Sequence, residues 1–170
     1  MNAGDYAARD SQRAKVYAAE EFVRTLFDRA AEHGSRSIEF FGTQLTLPPE
    51  ARFGSVPAVQ RYVDAVLALP AVRYQWPAVA PLMVRARRAS AAAHYENRDG
   101  TGIIAVPDSA TADWAMRELV VLHEIAHHLC DEPPPHGSQY VATLCTLAEL
   151  VMGVELGHVL RVVYAKEGVR

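Results

Sequence analysis

Several features that mark other classes of protein are missing from this chain of 170 residues. It has only two cysteines, Cys130 and Cys145, which are too few for a disulfide scaffold, so we expect unpaired thiols in a reducing compartment. No apolar run reaches the ~20 residues that span a bilayer. Residues 1–21 hold no apolar stretch of the kind found in signal peptides. We therefore expect a cytoplasmic protein that does not insert into membranes.

Lysine is also scarce, and the chain has no excess of positive charge. Only Lys15 and Lys166 accompany the arginines, and the formal net charge is −3. A protein that binds nucleic acid usually carries a clear basic excess. The three clustered arginines Arg85, Arg87 and Arg88 are better interpreted as a solvated face of a sheet. The composition therefore disfavours nucleic acid as the main ligand.

What remains is the composition of an ordinary globular domain, with 50% apolar and 22% charged residues. We expect one domain over residues 1–170. Apolar periodicity predicts helices over 7–31, 56–69, 114–130 and 138–152, followed by a last short helix that ends at Gly168. Alternation and turn signals predict strands over 37–47, 82–87, 91–96 and 102–106. This order favours an α+β fold with a small, mostly antiparallel sheet.

One segment carries a chemical motif, His123-Glu124-Ile125-Ala126-His127. Residues four apart lie on one face of a helix, so the two imidazoles can reach a single metal ion. Glu124 lies about 100° around the helix from His123, where its carboxylate is beside the ion without binding it. A carboxylate in that position can accept a proton from a water that the ion activates, and can return it to a leaving amine.

The surroundings of the motif argue against a chance match. Apolar residues precede it at 119–122, and Leu122, Ile125 and Leu129 would anchor the back of the helix in the core. Three ionisable groups in a buried helix are costly unless something neutralises them, and a metal ion does so. The simpler alternative is a pair of hydrogen-bonded core histidines with a salt-bridged Glu124.

A catalytic zinc site usually has three protein ligands and one open position, so a third ligand is needed. We predict His136, because the three prolines at 133–135 turn the chain back after the helix and bring this residue toward the ion. The main rival is Glu149, on the following helix. Less favoured candidates are His128, which points about 100° away from His127, and two residues elsewhere in the chain, Asp131 and His158.

With these residues in place, the sequence resembles the SprT-like metallopeptidases. The resemblance rests on His123-Glu124-x-x-His127 followed by His136-Gly137-x-x-Tyr140. The chain is also similar to a family of small bacterial metallohydrolases with the same motif, over stretches 93–96, 104–107 and 114–129. The likeness covers roughly residues 82–152.

The resemblance implies a zincin-like fold, in which a small sheet packs beside the helix that carries the zinc ligands. It gives His123, His127 and His136 the role of zinc ligands and Glu124 the role of the base. It also implies that the strand 102–106 is an edge strand beside the cleft, where an extended peptide could pair with it. Three residues could stabilise an oxyanion but are more simply explained by packing: Tyr95, Tyr140 and His158.

Two classes of function are consistent with these observations. The first is a zinc-dependent hydrolase, and specifically a metallopeptidase that acts on peptide or protein substrates. The second is a non-catalytic binding module that zinc stabilises. A DNA-associated protease of the SprT-like kind is a further alternative. Glu124 favours the first class, because a purely structural zinc site has no need of a carboxylate that is not a ligand.

Overall fold

The structure is a computed structural model, and it describes residues 9–88, 91–108 and 116–170. Its helices are α1 (Arg13–Glu32), α2 (Val56–Ala68), α3 (Pro70–Gln75), α4 (Glu118–Leu129), α5 (Ser138–Met152) and α6 (Val154–Lys166). Its strands are β1 (Ser37–Phe40), β2 (Thr43–Thr46), β3 (Leu82–Arg87), β4 (His94–Arg98) and β5 (Thr101–Pro107). The fold is α+β, as predicted. No helix in the described ranges has both the length and the apolarity to span a membrane.

The main sheet has three strands in the order β3-β5-β4. Strand β5 runs parallel to β3 and antiparallel to β4. The expectation that β5 is an edge strand is therefore wrong, and this sheet combines one parallel pair with one antiparallel pair. The physical reason lies in its side chains: Ile104, Ala105 and Val106 are all fully buried. Such a continuous apolar run suits a central strand that is covered on both faces.

The predicted single strand over 37–47 is a hairpin of two strands, β1 and β2. They pair antiparallel, with Phe40 opposite Thr43. The turn between them consists of Phe41 and Gly42, and both residues have positive φ values, 46° and 81°. A phenylalanine rarely adopts that conformation. The turn could not be predicted, because the sequence has no Asn-Gly or Asp-Gly pair at this point.

Helix α4 is the centre of the molecule. It packs against α2, α5, β4 and β5. Every side chain from Val120 to Ala126 is buried, including the first two residues of the motif, His123 and Glu124. The helix begins four residues later than predicted, at Glu118, because Arg117 forms an antiparallel bridge with Arg52 instead of a helical turn. Residues 114 and 115 of the predicted helix lie outside the described ranges.

A buried ion pair fixes the start of α4. The guanidinium of Arg117 is 4% exposed and donates to both carboxylate oxygens of Glu50, at 2.8 and 2.6 Å. It also contacts Asp28 of α1 at 3.1 Å. The carboxylate of Glu118 accepts hydrogen bonds from the backbone of Ala51 and from a tyrosine hydroxyl of α2. These contacts hold segment 50–52 and α1 against the helix that carries the motif.

Replacing Arg117 with alanine is expected to lower the free energy of unfolding by about 3 kcal/mol, because it leaves the Glu50 carboxylate buried without its main partner. Urea unfolding measures this change. The matched control is Arg52→Ala, which removes an exposed arginine paired with Asp28 at 3.2 Å and should cost less than about 1 kcal/mol. Equal losses for the two variants would contradict this interpretation of the Arg117 network.

Candidate metal centre

The two histidines of the motif project from one face of α4 toward a common point. Their Nε2 atoms are 3.2 Å apart. Two nitrogens bound to one tetrahedral zinc ion at ~2.0–2.1 Å are separated by roughly 3.3 Å, so this spacing fits a shared ion. The i, i+4 arrangement predicted from the sequence is therefore realised in the structure.

His136 completes a cluster of three imidazoles. It lies in the short connection between α4 and α5 and is buried. Its ring centroid is 4.8 Å from that of His127 and 5.4 Å from that of His123. One possible ligand atom from each histidine lies within 4.8 Å of the other two. The three histidines that were predicted from the sequence as metal ligands thus lie close together in the structure.

A carboxylate supports His123 from the side away from the cluster. Nδ1 of His123 is 2.7 Å from Oε2 of Glu20, a residue of α1 that is itself buried. The hydroxyl of Tyr164 donates to the other oxygen of Glu20 at 2.7 Å. Because Nδ1 is engaged with a carboxylate, Nε2 of His123 is left to face the cluster. This arrangement of carboxylate and histidine is typical of metal ligands.

His136 is supported in the same way by a different residue. Its Nδ1 is 2.7 Å from Oδ2 of Asp10, just before α1. Its Nε2 is buried and has no hydrogen-bond partner within the described residues. A buried polar nitrogen without a partner is costly and calls for an explanation. A metal ion bound at this nitrogen would supply the missing partner.

The electrostatics of the cluster favour neutral imidazoles at two positions. Burial and the charges of the neighbouring histidines together lower the pKa of His127 to about 2. Burial also lowers the pKa of His136, although its hydrogen bond to Asp10 opposes this. At His123 burial again lowers the pKa, but the charge of Glu20 and its hydrogen bond outweigh it and the net pKa is raised. Neutral imidazole is the form that binds a metal.

Glu124 lies beside the cluster but does not belong to it. Its side chain is 5% exposed and lines the cleft. Burial raises the pKa of Glu124, and the positive charge of His123 moderates that rise. A carboxylate whose pKa lies above its ordinary value is better suited to exchange protons near neutrality.

Tyr140 forms the floor of the cluster. It is fully buried, its ring stacks on that of His127 at 4.4 Å between centroids, and its hydroxyl donates to the backbone oxygen of His123 at 3.4 Å. Tyr140 is therefore a packing residue, which is the simpler of the two interpretations of it. His158 is exposed and its ring contacts that of Phe40, away from the histidines.

His128 points away from the cluster, as the helical geometry predicts. Its Nε2 is 2.7 Å from the backbone oxygen of Ala80, and its Nδ1 is 3.2 Å from the hydroxyl of Tyr95. The ring also packs closely against Gly102 of β5. A Cβ atom added at Gly102 would lie only 2.4 Å from Nδ1 of His128. His128 therefore joins α4 to the segment before β3 and to β4, which are two walls of the cleft.

The other rivals of His136 also lie outside the cluster. The carboxylate of Glu149 pairs with Arg161 at 2.6 Å, at the contact between α5 and α6. Asp131 is exposed, although it lines the same cleft. Among the described residues, the geometry therefore favours His136 over every alternative that the sequence left open.

The cleft beside the histidines has a volume of about 900 Å³. Its lining comes from four parts of the chain: residues 10–17, 75–80, 93–100 and the end of α4 with the connection that follows it. Glu124, His127 and His136 all reach its surface. A cleft of this size accommodates several residues of a peptide.

Sequence reasoning missed the contribution of α1 and the residues that precede it. Asp10, Arg13, Tyr17 and Glu20 recur at spacings of three, four and three, which places them along one helical face. All four line the cleft or support a histidine of the cluster. The sequence did carry a signal for this stripe. Glu20 is an acidic residue between Ala19 and Val23, which belong to the buried apolar face of α1.

Comparisons of the chain with protein-family models, with curated proteins and with solved structures give no match.

The two cysteines are unpaired, as expected, with Cys145 buried and Cys130 half-buried.

The carboxylate that supports His123 gives a direct test of the cluster as a metal site. Glu20→Gln is expected to weaken zinc binding by about 10–100-fold, because the amide is a weaker acceptor for the imidazole N–H. Competition with a chromophoric chelator measures the affinity. Glu21→Gln, which changes the exposed neighbour on α1, is the matched control and should leave the affinity unchanged. Equal zinc affinities for the Glu20 variant and the wild type would contradict the supporting role of Glu20.

Proposed function

We propose that this protein is a zinc-dependent hydrolase of the metallopeptidase type, with a zincin-like arrangement of helix and sheet. One observation carries the proposal: three imidazoles converge beside a buried carboxylate, and the free nitrogen of one of them has no partner. The ligands would be His123, His127 and His136, and the base would be Glu124. Three ligands rather than four leave a position open, which is the pattern of catalytic zinc sites.

The donor set fits zinc. Imidazole nitrogen is a common zinc ligand, and the carboxylates on Nδ1 of His123 and His136 fix both rings with Nε2 toward the cluster. When bound, zinc supplies a Lewis acid that lowers the pKa of a water molecule and polarises a carbonyl group. The residues of the chain then determine where the substrate lies and how the proton moves.

Glu124 has the position and the environment for that proton transfer. In the proposed reaction its carboxylate accepts a proton from water, and the water oxygen forms a bond to the carbonyl carbon while the π electron pair moves to the carbonyl oxygen. When the carbon–nitrogen bond breaks, its electron pair stays on the nitrogen, which takes the proton back from Glu124. The products are one carboxylic acid and one amine, so atoms and charges balance.

A purely structural zinc site is less consistent with this geometry. A structural site usually has four protein ligands and is closed to solvent. Here the described residues offer three, beside an open cleft that also contains Glu124. A DNA-associated protease is not favoured over a general one. Arg85 and Arg98 could contact DNA phosphates, but both pair with Glu96.

The predicted pairing of an extended peptide with β5 is excluded, because β5 is paired on both sides. The strand that borders the cleft is β4. Strand β4 is paired with β5 on one side, and no other described strand pairs with it. The hairpin between β4 and β5 turns through Asp99 and Gly100, both with positive φ, so Arg98 and Thr101 form a hydrogen-bonded pair.

Alternation along the strand then decides which groups face outward. Because hydrogen-bonded and non-hydrogen-bonded pairs alternate, the backbone groups of Tyr95 and Asn97 point away from β5. These backbone groups are thus oriented toward a substrate strand. Pairing of this kind recognises extended backbone, so the substrate would be a flexible or unfolded segment.

N-methylation of individual residues of a cleaved peptide is expected to block cleavage at alternating positions, because only every second N–H of an added strand faces β4. Cleavage of each peptide is followed by mass spectrometry. We expect a loss of at least about tenfold at the residues whose N–H pairs with β4, and little change at the residues between them. Equal tolerance of methylation at all positions would contradict pairing with β4.

The proposed function itself is tested by incubating the zinc-loaded protein with a library of unstructured peptides. Cleavage that stops when a chelator removes zinc, and that returns when zinc is added back, is the expected result. Zinc that binds with full occupancy without any cleavage of peptides, esters or amides would favour the non-catalytic module.

A further inference from the structure

Three tyrosines surround the histidine cluster, and the hydroxyls of two of them are already engaged. The hydroxyl of Tyr140 is buried and donates to the backbone oxygen of His123. The hydroxyl of Tyr95 lies 3.2 Å from Nδ1 of His128. The third, Tyr17, lies on α1 across the cluster. The state of each hydroxyl proton decides which tyrosine can donate to a substrate.

The proton of Tyr95 can be assigned from its neighbours. Nε2 of His128 is 2.7 Å from the backbone oxygen of Ala80, which only accepts hydrogen bonds. Nε2 must therefore carry the hydrogen, and in neutral imidazole this leaves Nδ1 as an acceptor. The hydroxyl of Tyr95 accordingly donates to Nδ1, and its proton is not available to a substrate.

Tyr17 is in the opposite situation. Its ring centroid is 5.3 Å from that of His123 and 5.4 Å from that of His136, and the residue lines the cleft with 39% of its surface exposed. The guanidinium of Arg13 lies 5.6 Å from the ring centroid. No acceptor among the described residues takes the hydroxyl proton of Tyr17, so that proton is free to point into the cleft.

The position of Tyr17 is fixed by the same helix that supports a histidine of the cluster. Glu20, one helical turn further along α1, is 2.7 Å from Nδ1 of His123. Asp10, just before α1, is 2.7 Å from Nδ1 of His136. Two short contacts on either side of Tyr17 therefore set α1 in register with the cluster, which fixes the backbone position of Tyr17 relative to the histidines.

We propose that Tyr17 is a catalytic residue that donates a hydrogen bond to the scissile carbonyl oxygen as that oxygen becomes negatively charged. This role rests on the proposed hydrolase function. The hydrogen bond is made without transfer of the proton, so the balance of the reaction is the one given above. The positive charge of Arg13 near the ring makes the hydroxyl a better donor, because it favours the negative charge that builds on the hydroxyl oxygen. A donor of this kind acts on the transition state more than on the bound substrate.

The first test is Tyr17→Phe, which keeps the ring and removes the hydroxyl. We expect kcat to fall by about 100-fold, with KM, zinc content and thermal stability close to those of the wild type. Tyr74→Phe removes a hydroxyl from α3, on a residue that is 89% exposed and outside the cleft, and serves as the matched control. A kcat for Tyr17→Phe within twofold of the control would overturn the proposal.

The second test does not depend on turnover. A phosphinic tetrapeptide with alanine and leucine side chains mimics the tetrahedral state, and calorimetry gives its affinity for the zinc-loaded protein. We expect Tyr17→Phe to weaken its binding by about 100-fold relative to the wild type. Unchanged affinity in the variant overturns the role of Tyr17 alone. No binding to the zinc-loaded wild type overturns the proposed function together with this role.

Discussion

Replacing Glu124 with glutamine is expected to reduce peptide hydrolysis by about 10²–10⁴-fold while the protein keeps its zinc and its fold. Glutamine has nearly the same shape, so the buried position remains filled. It cannot accept the proton of the attacking water, so the step that forms the new carbon–oxygen bond loses its base. Initial rates of peptide cleavage and the zinc content of the same sample give both quantities.

The control for Glu124→Gln is Glu149→Gln, which neutralises a carboxylate paired with Arg161 outside the cleft. It should cleave peptide at a rate close to that of the wild type. Loss of zinc in the Glu124 variant would mean that Glu124 is a ligand, and the proposed division between ligands and base would then be wrong. A Glu124 variant with full activity would exclude this carboxylate as the base.

The second large effect is expected from His136→Ala, which should lose zinc. Removal of this side chain takes away one of three nitrogens and leaves Asp10 without its partner. We expect zinc affinity to fall by more than the roughly 10–100-fold that removal of a supporting group costs. Elemental analysis after dialysis against a weak chelator measures the zinc that remains on the protein.

Glu149→Ala is the matched comparison for His136→Ala, because Glu149 is the strongest rival for the third position. Its carboxylate is held by Arg161 and is not part of the histidine cluster, so this variant should keep its zinc. The opposite result, with zinc lost only from the Glu149 variant, would assign the third ligand to α5 and would refute the role given to His136.

The sequence allowed the motif helix and the three clustered histidines to be predicted because their signals are local. The two histidines of α4 are four residues apart, and the apolar residues around them have no other explanation than a buried helix. His136 could be predicted because three prolines must end α4 and redirect the chain. The hairpin from β4 to β5 follows from Asp99-Gly100, whose residue types suit the positive φ values that the turn requires.

Features that depend on contacts between distant segments could not be predicted in this way. A short apolar strand does not show which strands flank it, so β5 was wrongly expected at the edge of the sheet. The supporting contacts of Glu20 and Asp10 join residues 103 and 126 positions apart along the chain. The polar stripe on α1 marks Glu20 as unusual, but only the fold shows which histidine each of these carboxylates contacts.

X-ray absorption spectroscopy at the zinc edge tests the central claim most directly, because it reports the atoms bound to the ion in the wild-type protein. We predict one zinc ion per chain with three nitrogens and one oxygen at about 2.0–2.1 Å. A sulfur ligand at about 2.3 Å, a fourth ligand from the protein, or a protein that takes up no zinc would contradict an open site built from His123, His127 and His136.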